Sequence, residues 1–87
     1  MIKKEFIENN LLKVLNYLPQ EICKGNHIYY LSIWKTSENL WCISYETTDD
    51  YSLFYVLAFD DLIDGIIYII KSIDTIIPDF ANNLINI

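Results

Sequence analysis

Hydrophobic residues recur at helical spacing between Asp60 and Ile77. This spacing predicts an amphipathic helix that Asp60 caps and Pro78 stops. Its apolar positions are Leu62, Ile63, Ile66, Ile67, Ile69, Ile70, Ile73 and Ile77, and its polar side carries Asp61, Asp64, Gly65, Tyr68, Ser72 and Thr75. β-branched residues are only moderate helix formers, so this helix must gain its stability by burying its apolar face.

A second helical pattern covers residues 3–18 and ends at Leu18, because Pro19 follows. Its apolar face consists of Ile7, Leu11, Val14, Leu15 and Leu18. Proline suits a first helical position and glycine suits a C-terminal one, so Pro19 and Gly25 favour one further helical turn over residues 19–24. Gly25 and Asn26 then turn the chain into strands.

Three segments rich in β-formers follow, at residues 27–36, 40–46 and 51–59, and short polar connections separate them. They predict a three-stranded antiparallel meander. After Pro78, a short terminal helix is predicted from Phe80, Ala81, Leu84 and Ile85. The predicted fold class is a single α+β domain over residues 1–87, in the order α-β-β-β-α, with the meander packed on helices.

Both faces of this predicted sheet are apolar. Alternation places Tyr29, Leu31 and Ile33 on one face of the first strand and Ile28, Tyr30 and Trp34 on the other. The helices can cover one face. The second face, which we expect to carry Tyr30, Trp34, Leu40 and Phe54, is covered by the first helix and the tail or meets another molecule.

The charge is distributed unevenly along the 87 residues. Residues 1–36 carry five lysines against three glutamates, whereas residues 37–87 carry one lysine against nine acids, and the net charge is −6. A chain without arginine and with an acidic half lacks the positive footprint that phosphate backbones require. Direct binding of nucleic acid is therefore not expected.

Several features bear on the compartment. The N-terminal residues do not form the continuous apolar run of a signal peptide, and Cys23 and Cys42 are too few for a secreted disulfide framework. Asp64, Lys71 and Asp74 interrupt the most apolar segment, which is also too short to span a membrane. The sequence predicts a cytoplasmic protein with two reduced thiols and no membrane association.

Candidate catalytic residues are few. Cys23 and His27 form a C-x-x-x-H pattern that could be a Cys–His pair or half of a metal site, but no spacing signature accompanies it. The calcium-loop, phosphate-loop and nucleophile-elbow patterns do not occur. We therefore expect no metal, no cofactor and no enzymatic activity.

The predicted binding residues are acids at turns or strand ends together with apolar residues near them. They are Glu38, Glu46, Asp49 and Asp50, which form an acidic rim, and Tyr30, Trp34, Leu40 and Phe54. Tyr and Trp are enriched at protein interfaces, and acids attract a basic partner. In architecture and charge the chain is similar to small acidic inhibitors of bacterial or phage origin, such as toxin-immunity and anti-CRISPR proteins. This likeness implies an inhibitor of a basic protein such as a nuclease. The alternatives are a homodimeric adaptor that pairs through the second sheet face and, last, an enzyme that uses Cys23 or Cys42.

Overall fold

The computed structural model describes residues 2–49 and 51–86, and the side chains of residues 54–58 lie outside the described part. Within the described residues, the helices are α1 (Lys4–Asn9), α2 (Leu11–Tyr17), α3 (Leu62–Asp74) and α4 (Phe80–Asn83), and a 3₁₀ turn follows at Leu84–Asn86. The strands are β1 (Glu21–Lys24), β2 (His27–Lys35), β3 (Trp41–Glu46) and β4 (Ser52–Phe59). They form an antiparallel sheet in the order β1-β2-β3-β4. The predicted α+β fold class is confirmed.

The sheet contains one strand more than the sequence predicts. Residues 21–24 form β1 rather than a helical turn, and β1 pairs with β2 through a two-residue turn closed by Lys24 and His27. Gly25 has a φ of +63°, the positive value that such a hairpin turn needs at its first central position. Ile22 is buried in the core. The ladder hydrogen bonds and this burial outweigh the helical preference of the flanking proline and glycine.

The N-terminal helical pattern is divided at Asn10. The Asn10 side-chain amide donates a 2.9 Å hydrogen bond to the Phe6 carbonyl oxygen, and its backbone N–H donates to the Ile7 carbonyl oxygen at 3.2 Å. An asparagine that bonds to the preceding turn competes with the continuing helix. The single helix predicted over residues 3–18 is therefore two helices. Its predicted face is retained, because Ile7, Val14 and Leu18 are buried.

Helix α3 lies on the sheet as predicted, but a different residue caps it. The Asp61 carboxylate accepts a 2.8 Å hydrogen bond from the Ile63 N–H, whereas the prediction assigned this role to Asp60. Regular helix ends at Asp74, before the predicted end at Ile77. The Lys4 ammonium group pairs with Asp61 and also lies 3.6 Å from Asp64, so α1 is attached to the start of α3.

Gly65 is buried against the sheet, although the helical pattern placed it on the polar side of α3. A Cβ atom at this position would lie 3.0 Å from Ile43 Cδ1 and 3.6 Å from Phe59 Cδ2. The missing side chain therefore lets the helix backbone approach β3 and β4 closely. The helix packs on the sheet through a wider surface than its isoleucine stripe alone.

The core lies between the helices and one face of the sheet. Its buried apolar residues are Ile7, Val14, Leu18, Ile22, Ile43, Tyr45, Ile66, Ile69, Ile70, Ile73, Phe80 and Leu84. The predicted terminal helix is confirmed as α4. Phe80 is buried in the core, whereas Ile85 is exposed. The Tyr17 hydroxyl donates a 2.7 Å hydrogen bond to the Phe80 carbonyl oxygen, which holds α4 against α2.

Candidate protein-binding surface

The helices cover one face of the sheet, and we call the opposite face the outer face. Ile22, Ile43 and Tyr45 belong to the core, so the residues that alternate with them point away from the helices. Strand alternation and register assign Glu21, Cys23, Ile28, Tyr30, Ser32, Trp34, Cys42, Ser44 and Glu46 to the outer face. The molecule measures 35 × 34 × 18 Å, and the short dimension accommodates one sheet and one layer of helices.

Large apolar side chains on the outer face are exposed. Ile28, Tyr30 and Trp34 on β2 are 44%, 45% and 47% accessible, whereas Tyr45 on the helix side of β3 is fully buried. The alternation of β2 places these three side chains on one line along the strand. A line of exposed apolar and aromatic groups on an otherwise folded surface is typical of an interaction site. The outer face is therefore exposed along β2, whereas Cys42 and Ser44 on its β3 part are buried.

Two acids lie on either side of this apolar line. Tyr30 is paired with Glu21 of β1 and with Glu46 of β3, so a carboxylate side chain stands on each side of the ring. Neighbouring strands are about 4.8 Å apart, which places the two glutamate backbones roughly 10 Å from each other. The Ser52 hydroxyl donates a 3.5 Å hydrogen bond to Glu46 Oε1. On the described strands, no outer-face position carries a lysine, so this part of the surface attracts cations.

Two further predicted acids, Glu38 and Asp49, lie beyond opposite ends of β3. Glu38 is in the β2–β3 connection, and Asp49 is in the β3–β4 connection, about 17 Å away along the six residues of β3. Both are exposed, and each donates its backbone N–H to a threonine hydroxyl at 3.2 Å, Thr36 for Glu38 and Thr47 for Asp49. The described acids of the rim therefore form two separate groups, with Glu46 and Asp49 toward the same end.

Of the three other predicted residues, Leu40, Asp50 and Phe54, the structure describes the side chain of Leu40 alone. Leu40 is half-buried in the β2–β3 connection, where its N–H donates to the Thr36 hydroxyl and its carbonyl accepts from the Thr36 N–H. Asp50 lies outside the described residues. Phe54 has its side chain outside the described part, and its backbone pairs with Tyr45, a helix-side residue. The register of β3 with β4 shifts between Tyr45 and Glu46, which simple counting along the strand does not anticipate.

Glu21 is not among the predicted binding residues, because the pattern of residues 19–24 favours a helical turn. The sequence nevertheless contained a signal for it. Gly25–Asn26 lies between two short runs rich in β-formers, and a two-residue Gly-Asn connection is typical of a β-hairpin. That interpretation would have paired Glu21 with Tyr30 directly.

The cysteine and histidine residues are not arranged as a catalytic pair. Cys23 pairs with Ile28 on the outer face, while His27 pairs with Lys24 at a position of the opposite face. The His27 ring lies near the rings of Tyr29 and Tyr51, with centroid distances of 6.0 and 5.6 Å. Cys42 is buried. Across the described ranges, no group of three His, Cys, Asp or Glu side chains could hold a metal ion.

Among residues 2–49 and 51–86, no helix has the length and apolar character needed to span a membrane. Comparison of the chain with protein-family models, curated proteins and solved structures finds no match.

Proposed function

We propose that this chain is a non-enzymatic protein-binding domain that docks a basic protein partner on the outer face of its sheet. We further propose that docking inhibits the partner and that the partner acts on nucleic acid, as a nuclease does. Enzymes that bind nucleic acid carry basic clefts, and an acidic surface can occupy such a cleft.

The observation that carries the proposal is the combination of exposed apolar side chains with acids on the helix-free face. Tyr30 and Trp34 remain close to half exposed, although nearby positions of the same sheet are fully buried. Glu21 and Glu46 flank Tyr30 in the register. A partner that covers this face would bury the apolar side chains, and its basic residues would lie close to the two acids.

The two kinds of residue have different roles in this proposal. Aromatic side chains near the centre of an interface carry much of the binding energy and control dissociation. Charges around them mainly raise the association rate by steering the partner. Tyr30 and Trp34 therefore act as anchors, and Glu21, Glu46 and Asp49 act as steering groups.

The outer face is large enough for a specific complex. A standard interface buries about 800 Å² on each partner. The broad outline of the molecule, 35 × 34 Å, accommodates a patch of this size on one face. A single docking surface on the sheet is therefore sufficient, without a contribution from the helical side.

The homodimeric alternative uses the same face but meets an electrostatic obstacle. A two-fold interface would enclose a second Glu21 and Glu46 together with the first pair, which doubles the negative charge in the contact. Within the described strands, the outer face offers no lysine to neutralise them. Like charges brought together in an interface cost several kcal/mol. A basic partner avoids this repulsion, so we favour it over a second copy.

Site-specific photo-crosslinking in the cells that produce the protein tests the proposal. A benzoylphenylalanine replaces Tyr30 on the outer face or, as a matched control, Tyr68 on α3. Tyr68 is 51% exposed and lies on the helical layer, so the two probes are similarly accessible on opposite sides of the molecule. The crosslinked products are identified by mass spectrometry.

The expected product from position 30 is a basic protein that does not crosslink from position 68. Its yield should fall when Glu21→Lys and Glu46→Lys are introduced together. Crosslinks between two copies of the chain would support the homodimer instead. Identical products from both positions, or an acidic protein from position 30, would contradict the proposal.

A further inference from the structure

Strand β4 forms one edge of the sheet. The order β1-β2-β3-β4 places it last, and among the described residues no strand other than β3 pairs with it. Gly65 of α3 lies against Ile43 of β3 and Phe59 of β4, which places the helix above these strands rather than beside the edge. The backbone N–H and C=O groups on the side of β4 away from β3 can therefore bond to another extended chain.

The sequence of β4 lacks the features that normally protect an edge strand from pairing. Edge strands are usually short, or they carry lysine, proline or other charged residues. The other edge follows this rule, since β1 has four residues and includes Glu21 and Lys24. β4 has eight residues, Ser52–Phe59, and none of them is charged or a proline. Its register with β3 is irregular near both ends, but residues 54–56 pair with consecutive residues of β3. The middle of β4 is therefore a regular strand on which a further strand can form.

Acidic residues lie just beyond both ends of β4. Asp49 precedes the strand in the β3–β4 connection, Asp60 follows Phe59 directly, and both acidic side chains are exposed. Among the described ion pairs, Lys4 engages Asp61 and Asp64, whereas Asp49 and Asp60 take part in none. An extended segment paired with β4 would therefore meet an uncharged middle and a negative charge at each end. A segment that is uncharged in its middle and basic at both ends complements this pattern.

A second copy of the chain complements this edge less well. Two β4 strands related by a two-fold axis within one sheet run antiparallel, so the Asp49 end of one strand would lie beside the Asp60 end of the other. Like charges opposed across neighbouring strands are destabilising. A segment with basic residues at both ends avoids this repulsion in either strand direction.

On the basis of the proposed function, we infer that the basic partner contributes an extended segment that pairs with β4 as a further strand of the sheet and carries a basic residue at each end. Main-chain hydrogen bonds supply affinity in this mode of recognition, and the residues at the ends of the segment supply selectivity. The eight residues of β4 span about 26 Å, so a segment of about nine residues reaches both acidic ends. The edge is separate from the apolar line on β2, because β3 lies between the two strands.

The test is an NMR titration of the full chain with synthetic peptides of about nine residues. The probe has a lysine at each end and alternating threonine and valine between them. One matched control has glutamate at each end, and a second keeps the lysines but carries N-methyl groups on its central amides, which then cannot donate. In the protein, Asp49→Lys with Asp60→Lys reverses the charge at both ends of β4. Glu5→Lys with Glu8→Lys makes the same change in net charge at exposed positions of α1.

The lysine-ended peptide should shift the backbone amide resonances of residues 52–59 in a saturable manner. Because it forms an exposed ion pair at each end, it should bind about threefold or more tightly than the glutamate-ended peptide. The variant at Asp49 and Asp60 should reverse this preference, and the α1 variant should keep it. The N-methylated peptide should not bind.

Saturable shifts without a preference between the two end charges would overturn the basic segment, and the lack of a saturable shift in β4 would overturn the edge pairing. Shifts of residues 52–59 that follow protein concentration, together with sedimentation of a dimer, would assign the edge to a second copy instead. The photo-crosslinking at position 30 is independent of these results. A basic protein crosslinked there with an unresponsive β4 leaves the proposed function standing, whereas an acidic protein there contradicts the proposed function whatever the peptides do.

Discussion

Glu21 stands directly opposite Tyr30 in the register of β1 and β2. The pair exists because Gly25 and Asn26 fold residues 21–24 back onto β2. On the other side of Tyr30, the register places Glu46. The surface around Tyr30 is therefore both apolar and negatively charged, because an exposed aromatic residue lies between two acidic residues.

The packing of α3 predicts that alanine substitutions at Ile70 and Tyr68 differ strongly in their cost to stability. Ile70 is fully buried and Tyr68 is 51% exposed. Ile70→Ala should lower the free energy of unfolding by about 2–5 kcal/mol, because it leaves a cavity between the helix and the sheet. Tyr68→Ala should cost far less. Urea denaturation of both variants checks this, and equal losses would show that the helix is rotated on the sheet.

Gly65 provides a test of the close approach between α3 and β3. Alanine is favoured over glycine inside a helix by about 1 kcal/mol, but the new Cβ atom would meet Ile43 Cδ1 at 3.0 Å. Gly65→Ala should therefore fail to stabilise the wild-type protein. In an Ile43→Val background, which lacks Cδ1, the same change should be more favourable. A double-mutant cycle of unfolding free energies measures this coupling, and additive effects would contradict the contact.

Asp60 and Asp61, the two adjacent acids at the start of α3, should contribute unequally to the stability of the fold. Asp61 caps the helix and pairs with Lys4, so Asp61→Ala should destabilise the protein more than Asp60→Ala. Hydrogen bonds from the Lys4 side chain and then from the Ile63 N–H hold the pKa of the Asp61 carboxyl below its ordinary value of 3.8. The Asp61 carboxylate therefore stabilises the fold above about pH 3.8, and this stabilisation is lost as the pH falls through the lowered pKa. Urea midpoints at neutral and acidic pH should show a weaker acid dependence in Asp61→Asn than in the wild type.

Tyr45 should make the fold sensitive to alkali. Its hydroxyl donates a 2.7 Å hydrogen bond to the Pro19 carbonyl oxygen, and burial raises the pKa of this phenol well above its ordinary value of 10. Above that pH an unfolded tyrosine loses its proton while the folded one keeps it. Stability therefore falls as the pH rises, by about 1.4 kcal/mol per pH unit for this residue. Tyr45→Phe should be less stable at neutral pH, and its stability should decline less steeply above about pH 10. The same slope in both proteins would contradict the role of Tyr45.

The sequence predicts the elements whose pattern is strong and local. The isoleucine stripe of α3 and the runs of β-formers that become β2, β3 and β4 are periodic enough to identify without the structure. Features that depend on contacts between distant segments are different. The burial of Gly65 depends on the side chains of Ile43 and Phe59 in the sheet. The division of the first helix is local, but it depends on one side-chain hydrogen bond from Asn10 that the apolar pattern does not encode.

The candidate surface was predictable only in part, for the same reason. Strand alternation identifies Tyr30 and Trp34 as members of one face. It does not show which face the helices cover, because both faces are apolar. The pairing of Glu21 with Tyr30 requires the register of neighbouring strands. The nature of the partner stays a prediction.

The most direct test of the central claim is the association rate with the protein that crosslinks at position 30, measured at two ionic strengths. Three proteins are compared: the wild type, Glu21→Lys with Glu46→Lys, and Glu5→Lys with Glu8→Lys as a control. The control makes the same change in net charge at exposed positions of α1, away from the outer face. If the outer face steers a basic partner, salt and the outer-face variant should each slow association, by about tenfold or more for the variant, and the control should slow it much less. An association rate that is indifferent to salt, or that falls equally in both variants, would contradict the account.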